Sequence, residues 1–283
     1  MKNLIIRTLT GVLFVAAMVG GILYSPFTFG LLFTVVTCLS VWEFTGIVNL
    51  RADVEVNRLI TTVAGGCLFV GFFGYAAGIA GAGVLFVPWL LSMFYLLVTE
   101  LYLQRESPLN NWAYSVLSQV YVALPFSLLC LLEFPGNDLV AVGQGGVQSG
   151  AWLVLAIYIF LWCNDTGAYC VGSLLGRHKL FPRVSPGKSW EGSIGGGVLC
   201  LAVSQVFAQY LPLLAPLEWA IFALVVVVFG TWGDLCESLL KRQIGIKDSG
   251  HILPGHGGML DRFDSSLLAI PAVVTFLYVL SVF

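Results

Sequence analysis

Apolar runs of about 16 to 22 residues recur along the whole chain, and a helix of about 20 residues crosses roughly 30 Å of hydrocarbon. That repetition excludes a soluble fold. Hydrophobic residues fill 58% of 283 positions and charged residues only 10%, against roughly 25% charged in soluble domains. The runs predict nine spans, near 8–24, 28–48, 59–78, 83–103, 113–133, 151–164, 193–213, 217–235 and 266–282. The expected fold is therefore all-α, a polytopic membrane protein. Residues 1–150 are expected to form N-terminal transmembrane helices, and 151–283 a C-terminal transmembrane catalytic region. The first span follows Lys2 and Arg7, yet no A-x-A-like cleavage site follows it and the next span begins at once, so it reads as a retained helix.

Nine crossings place all 13 Lys and Arg residues on one side of the membrane. The opposite side receives polar but not basic loops, such as 134–150. The positive-inside rule then makes the basic side cytoplasmic, and the predicted location is the inner, cytoplasmic membrane with the polar site facing the cytoplasm. Seven scattered cysteines without a C-x-x-C pair read as small core residues. No nucleic-acid partner is expected, and a homodimer is left open.

Two polar segments on the basic side stand out. The longer, 238–264, reads SLLKRQIGIKDSGHILPGHGGMLDRFD. Lipid tolerates such a run only where it has work to do, and its residue types suit phosphate and divalent metal. Asp261 and Asp264 are three apart, and Asp234 ends the preceding span, so a folded-back loop could converge three carboxylates on one hard cation. Lys241, Arg242, Lys247 and Arg262 would neutralise phosphate oxygens, Arg as a fork and Lys as a point charge. Gly257 and Gly258, beside His256, would let backbone N–H groups approach an anion. Asp234, Ser238 and Lys241 or Arg242 share one helical stripe if the span continues beyond the membrane.

The second segment holds Asn164 and Asp165 and then RHKLFPRVSPGKSWEGSIGGG, read as a loop over 165–192. Gly187-Lys188-Ser189 imitates the end of a phosphate-binding P-loop, but Pro182 stands where the first glycine is required and no strand is expected before it. Lys188 and Glu191 are candidates for nucleotide contact or for organising metal. Gly192, Gly195, Gly196 and Gly197 favour close helix packing. Glu43 and Glu100, acids within or near spans, are candidates for a polar cavity or for a buried hydrogen bond. His178 and His251 read as loop histidines.

Ser238, Lys241-Arg242, Lys247-Asp248, Pro254, His256-Gly257-Gly258, Asp261-Arg262 and Asp264 resemble the C-terminal motif of phosphatidate cytidylyltransferases, the CDP-diacylglycerol synthases, without departure at its defining positions. The similarity extends to Asn164-Asp165-x-x-Ala168-Tyr169 and to 185–192, whereas the N-terminal half resembles the family only as apolar spans. The resemblance implies magnesium-dependent transfer of CMP from CTP to phosphatidic acid, releasing CDP-diacylglycerol and pyrophosphate. It further implies metal on Asp234, Asp261 and Asp264, with a second divalent or a monovalent ion as companion. The substrate contacts it implies are Asn164, Asp165, Lys188, Glu191, Ser238, Asp248, His256, Gly257 and Gly258. The alternatives are a CTP-dependent lipid kinase and, from another class, a membrane transporter.

Overall fold

A computed structural model describes residues 2–134, 147–250, 252 and 257–282, with the side chains of 2–7, 147 and 148 left aside. Among the described residues eight helices are long and apolar enough to cross a membrane: Pro26–Val48, Arg58–Ala76, Ala82–Leu103, Pro108–Glu133, Ser149–Leu175, Trp190–Tyr210, Pro216–Ile244 and Leu260–Val282. A shorter apolar helix, Thr8–Leu23, precedes them. The nine predicted spans are all present as helix, and the chain is an all-α membrane protein. It divides into two compact units, Met1–Leu131 with Gln243–Phe263, and Leu132–Arg242 with Asp264–Phe283.

The first unit contains α1 (Lys2–Leu23), α2 (Pro26–Val48), α3 (Arg58–Ala76), α4 (Val87–Leu103) behind a 3-10 turn, and α5 (Pro108–Leu117) running into a π-helical turn at Ser118–Ala123. Ser25 starts α2 with a reciprocal cap, its hydroxyl accepting from Thr28 N–H and its own N–H donating to Thr28 Oγ1. Lipid offers no hydrophobic drive between helices, so tight packing must hold the bundle together. Phe29, Phe33, Phe126, Phe14 and Phe263 form a chain of rings with centroids 5.0 to 6.4 Å apart. Phe263 belongs to α10 (Leu260–Phe263), a single turn that buries Leu260 and Phe263 while Asp261 is half-buried and Arg262 exposed. Positions i and i+3 fall on one side of a helical turn, which is why LDRF separates its apolar and charged residues. The aromatic chain thus fixes the turn that carries Asp261.

Glu100 is a structural anchor in this unit. Its carboxylate receives Arg105 Nη1 at 2.7 Å and Asn111 Nδ2 at 3.0 Å, so the buried charge is fully partnered.

The second unit contains α7 (Val147–Leu175), strands β1 (Lys179–Phe181) and β2 (Ser185–Ser189), α8 (Trp190–Tyr210), α9 (Pro216–Ile244) and α11 (Ser266–Val282). Phe160, Phe207, Trp219 and Phe222 cluster with centroids 5.2 to 6.3 Å apart. The seam between α7 and α8 is made of small residues: a Cβ on Gly167 would lie 2.9 Å from Gly196 Cα, and one on Gly192 2.8 Å from the Ala168 carbonyl. Gly195 and Gly196 likewise leave no room, whereas a Cβ on Gly197 would make only an ordinary contact with Val227 at 3.8 Å. The packing role expected of these glycines holds for the first three.

Two expectations are corrected in this unit. Asn164 and Asp165 lie within α7, not in a loop, because the helix continues to Leu175 along its glycine seam with α8. The segment after it is an antiparallel hairpin, with Lys179 opposite Ser189 and Phe181 opposite Ser185. Gly187-Lys188-Ser189 is therefore itself strand and runs directly into α8, whose N-cap is Ser189. A P-loop needs a glycine loop between strand and helix, which this connection lacks.

Candidate active site

Within the second unit, α9 runs unbroken from Pro216 to Ile244 and carries Asp234, Ser238, Lys241 and Arg242 beyond its apolar stretch. The predicted stripe exists: Ser238 Oγ donates to Asp234 Oδ1 at 3.1 Å, one helical turn apart. Asp234 Oδ2 meets Lys188 Nζ at 2.5 Å. The hairpin explains how Lys188 gets there, since strand residues alternate faces and Ser189 points inward as the cap of α8.

Lys188 also lines a cleft of about 440 Å³ with Asn164, Asp165, Tyr169, Ser189, Ser193 and Thr231. Asn164 is only 5% exposed, and its Oδ1 has no hydrogen-bond partner among the described residues. A buried carboxamide oxygen without a donor is costly, and this one packs against Gly196 of α8.

One turn along α9, Lys241 Nζ lies 2.5 Å from Glu237, whose side chain is fully buried. Asp264 follows α10 and lies within electrostatic reach of Asp234, Glu237 and Lys241. Gly233 makes that approach possible, because a Cβ there would sit 2.7 Å from the Asp264 carbonyl oxygen. Glu191, in contrast, turns to the hairpin: it accepts from the N–H groups of Arg177 and His178 and meets His178 Nδ1 at 2.6 Å. His178, read as a loop histidine, has a specific partner.

The first unit holds the rest of the motif. Asp261 Oδ2 accepts from Ser249 N–H and Gly258 N–H, each at 2.9 Å, and Asp261 N–H donates to Ser249 Oγ at 3.2 Å. Gly257 has φ +85°, a left-handed conformation that lets the chain turn so that Gly258 N–H faces this carboxylate. Of the glycine pair Gly258 donates its N–H to an anion, and that anion is the protein's own Asp261 carboxylate. Lys247, Asp248 and Arg262 are exposed on the same loop and turn. His256, His251 and Pro254 lie outside the described residues.

The structure reveals three residues that sequence reasoning did not assign to the site. Glu43 on α2 accepts from Leu260 N–H at 2.8 Å and Ser249 Oγ at 3.1 Å; an acid within an apolar span was its only signal. Glu237 could have been noticed as the acid one turn before Lys241. Ser249 gave no signal.

The residues can be tested for a divalent metal. In the second unit Asp234 and Asp264 offer hard oxygen donors within electrostatic reach of each other, of Glu237 and of Lys241, and in the first unit Asp261 offers another. Among the described residues no three His, Cys, Asp or Glu side chains gather as a closed metal cage. Magnesium uses one or two carboxylates and takes its remaining ligands from phosphate and water, so the carboxylate pair Asp234 and Asp264 of the second unit fits it.

A family model described as the cytidylyltransferase family matches residues 5–280, nearly the entire chain. The chain belongs to the cytidylyltransferase family. A phosphatidate cytidylyltransferase of Haemophilus influenzae is 32% identical to this family member over 94% of the chain and 95% of the relative. One from Staphylococcus saprophyticus is 34% identical over 65% of the chain and 77% of the relative. A third, from Bacillus subtilis, is 46% identical over 47% of the chain and 48% of the relative. The chain is thus related to a phosphatidate cytidylyltransferase over 94% of its length, and not only at the C-terminal motif.

Proposed function

We propose that this family member transfers CMP from CTP to phosphatidic acid at the cytoplasmic face of the inner membrane, forming CDP-diacylglycerol. A phosphatidate oxygen forms the new bond to the α-phosphorus of CTP as the α–β phosphoanhydride bond breaks and pyrophosphate leaves. Such a displacement asks the protein for positioning and for charge neutralisation. The observation that carries the reading is Lys188, a cation that lines a cleft of ligand size and is ion-paired to Asp234, one helical turn before the motif residue Ser238.

The cleft residues Asn164, Asp165 and Lys188 accommodate the nucleotide in this reading, and Lys241, Arg242, Lys247 and Arg262 divide between the triphosphate and the lipid phosphate. Asp234, Asp261 and Asp264 would hold magnesium, with a second divalent or a monovalent ion as its companion. Bound magnesium would supply electrostatic stabilisation of the transferring phosphoryl group. Ser238 orients Asp234 through its hydrogen bond. The cytoplasmic orientation is supported by all 13 cations falling on one side of nine spans.

Product analysis decides the reaction. Labelled CTP incubated with phosphatidic acid and magnesium should give lipid-bound cytidine and free pyrophosphate. Release of CDP together with a newly phosphorylated lipid would establish a lipid kinase in its place.

A further inference from the structure

The loop that carries Asp261 hangs on one acid from the N-terminal half of the chain. Glu43 sits in α2 and is 5% exposed. A carboxylate at such a position is expensive unless partnered. Its partners all come from one place: Leu260 N–H donates to Oε2 at 2.8 Å, and the Ser249 hydroxyl donates to the same oxygen at 3.1 Å. A hydroxyl can donate once and still accept, and Ser249 Oγ accepts Asp261 N–H at 3.2 Å while Ser249 N–H donates to Asp261 Oδ2 at 2.9 Å. Gly250 and Gly258 press against the Glu43 carboxylate so closely that a Cβ on either would clash with its oxygens. The space around Glu43 is thus shaped for the loop, and the loop has no side chain in the way.

We propose that Glu43 is a positioning residue for catalysis, acting through Ser249 and Leu260 to fix the orientation of the Asp261 carboxylate. The chain of bonds runs from α2 through Glu43 and Ser249 to Asp261, and Gly258 N–H closes it from the other side. An outer partner of a metal carboxylate typically governs ten- to hundredfold in metal affinity. The inference rests on the reading of Asp261 as a metal carboxylate, and its test separates the two.

The test compares the full-length wild-type protein with Glu43→Ala, Glu43→Gln, Ser249→Ala and Asp261→Asn, first by hydrogen–deuterium exchange without metal and then by Mn²⁺ binding followed by electron paramagnetic resonance. In Glu43→Ala the amides of Ser249, Gly258 and Leu260 should exchange about ten- to hundredfold faster, with the spans unaffected. Mn²⁺ affinity should fall about tenfold or more. Glu43→Gln should stay near wild type, because its side-chain oxygen can accept both hydrogen bonds. Unchanged exchange in Glu43→Ala, or a glutamine variant as damaged as the alanine one, overturns the proposal. So does faster exchange with unchanged Mn²⁺ affinity where Asp261→Asn abolishes binding. If Asp261→Asn binds Mn²⁺ like wild type, the metal reading of Asp261 fails and the exchange result alone decides the positioning. Should Glu43→Ala fail to accumulate in membranes, Ser249→Ala leaves the buried acid its Leu260 partner and carries the same expectations.

Discussion

Lys188 Nζ stands 2.5 Å from Asp234 Oδ2, which ties the β-hairpin after α7 to the motif helix α9. Both side chains are about a quarter exposed, so the pair is open to an incoming phosphate. Lys188→Ala removes a charge-assisted contact and should raise the KM for CTP about tenfold or more while the protein remains inserted. Steady-state kinetics at varied CTP would check this, and an unchanged KM would assign the lysine a purely structural part.

Asp234 cannot be neutralised so mildly. Asp234→Asn keeps the shape and the Ser238 contact but loses the charge that faces Lys188 and that would bind metal. Turnover should fall by about 10²–10³-fold or more, with normal amounts in the membrane fraction. Asp261→Asn should behave alike. Near-normal cytidine incorporation into lipid by either variant would defeat its metal assignment.

The α7–α8 seam offers a paired test at neighbouring positions. A methyl group on Gly196 would clash with Asn164, so Gly196→Ala should destabilise the protein by about 1–3 kcal/mol. Gly197→Ala meets only a Val227 methyl group and should change stability by less than about 0.5 kcal/mol. Thermal unfolding in detergent compares the two, and equal effects would contradict the seam.

The acids of the first unit separate by function. Glu100 is tied to Arg105 and Asn111 near the end of α4. Glu100→Ala leaves Arg105 its second ion pair, to Glu55 Oε2 at 3.0 Å, but strips the buried Asn111 amide of its acceptor, and should cost about 1–3 kcal/mol of stability. Its KM values for CTP and phosphatidate should not move. A stability assay beside kinetics at permissive temperature distinguishes this outcome from a site role.

The motif over 238–264 announced its chemistry through residue types that lipid excludes, so Ser238 and Asp261 were legible before any geometry, as were Asp234 at the end of the preceding span and Lys188 in the second polar segment. Helical periodicity also placed Ser238 beneath Asp234, because i and i+4 must neighbour one another once α9 continues. The hairpin was not legible. Its short strands alternate around Pro182 and Gly187 with no apolar pattern, and their pairing depends on contacts with α7 and α8. Nor could sequence rank Glu43 against Glu100, two acids with the same signal, since only their partners differ.

Hydropathy by itself determined the number of spans, and the one-sided cations set their expected orientation, because hydrocarbon penalises each uncovered polar group wherever it lies in the chain. Tertiary structure alone decided that Lys188 meets Asp234, that Glu191 serves the hairpin and that Glu43 grips the Asp261 loop. A hydrogen bond depends on a separation held to within a few tenths of an ångström, here between residues as far apart in sequence as Glu43 and Leu260, and spacing along the chain does not encode such precision.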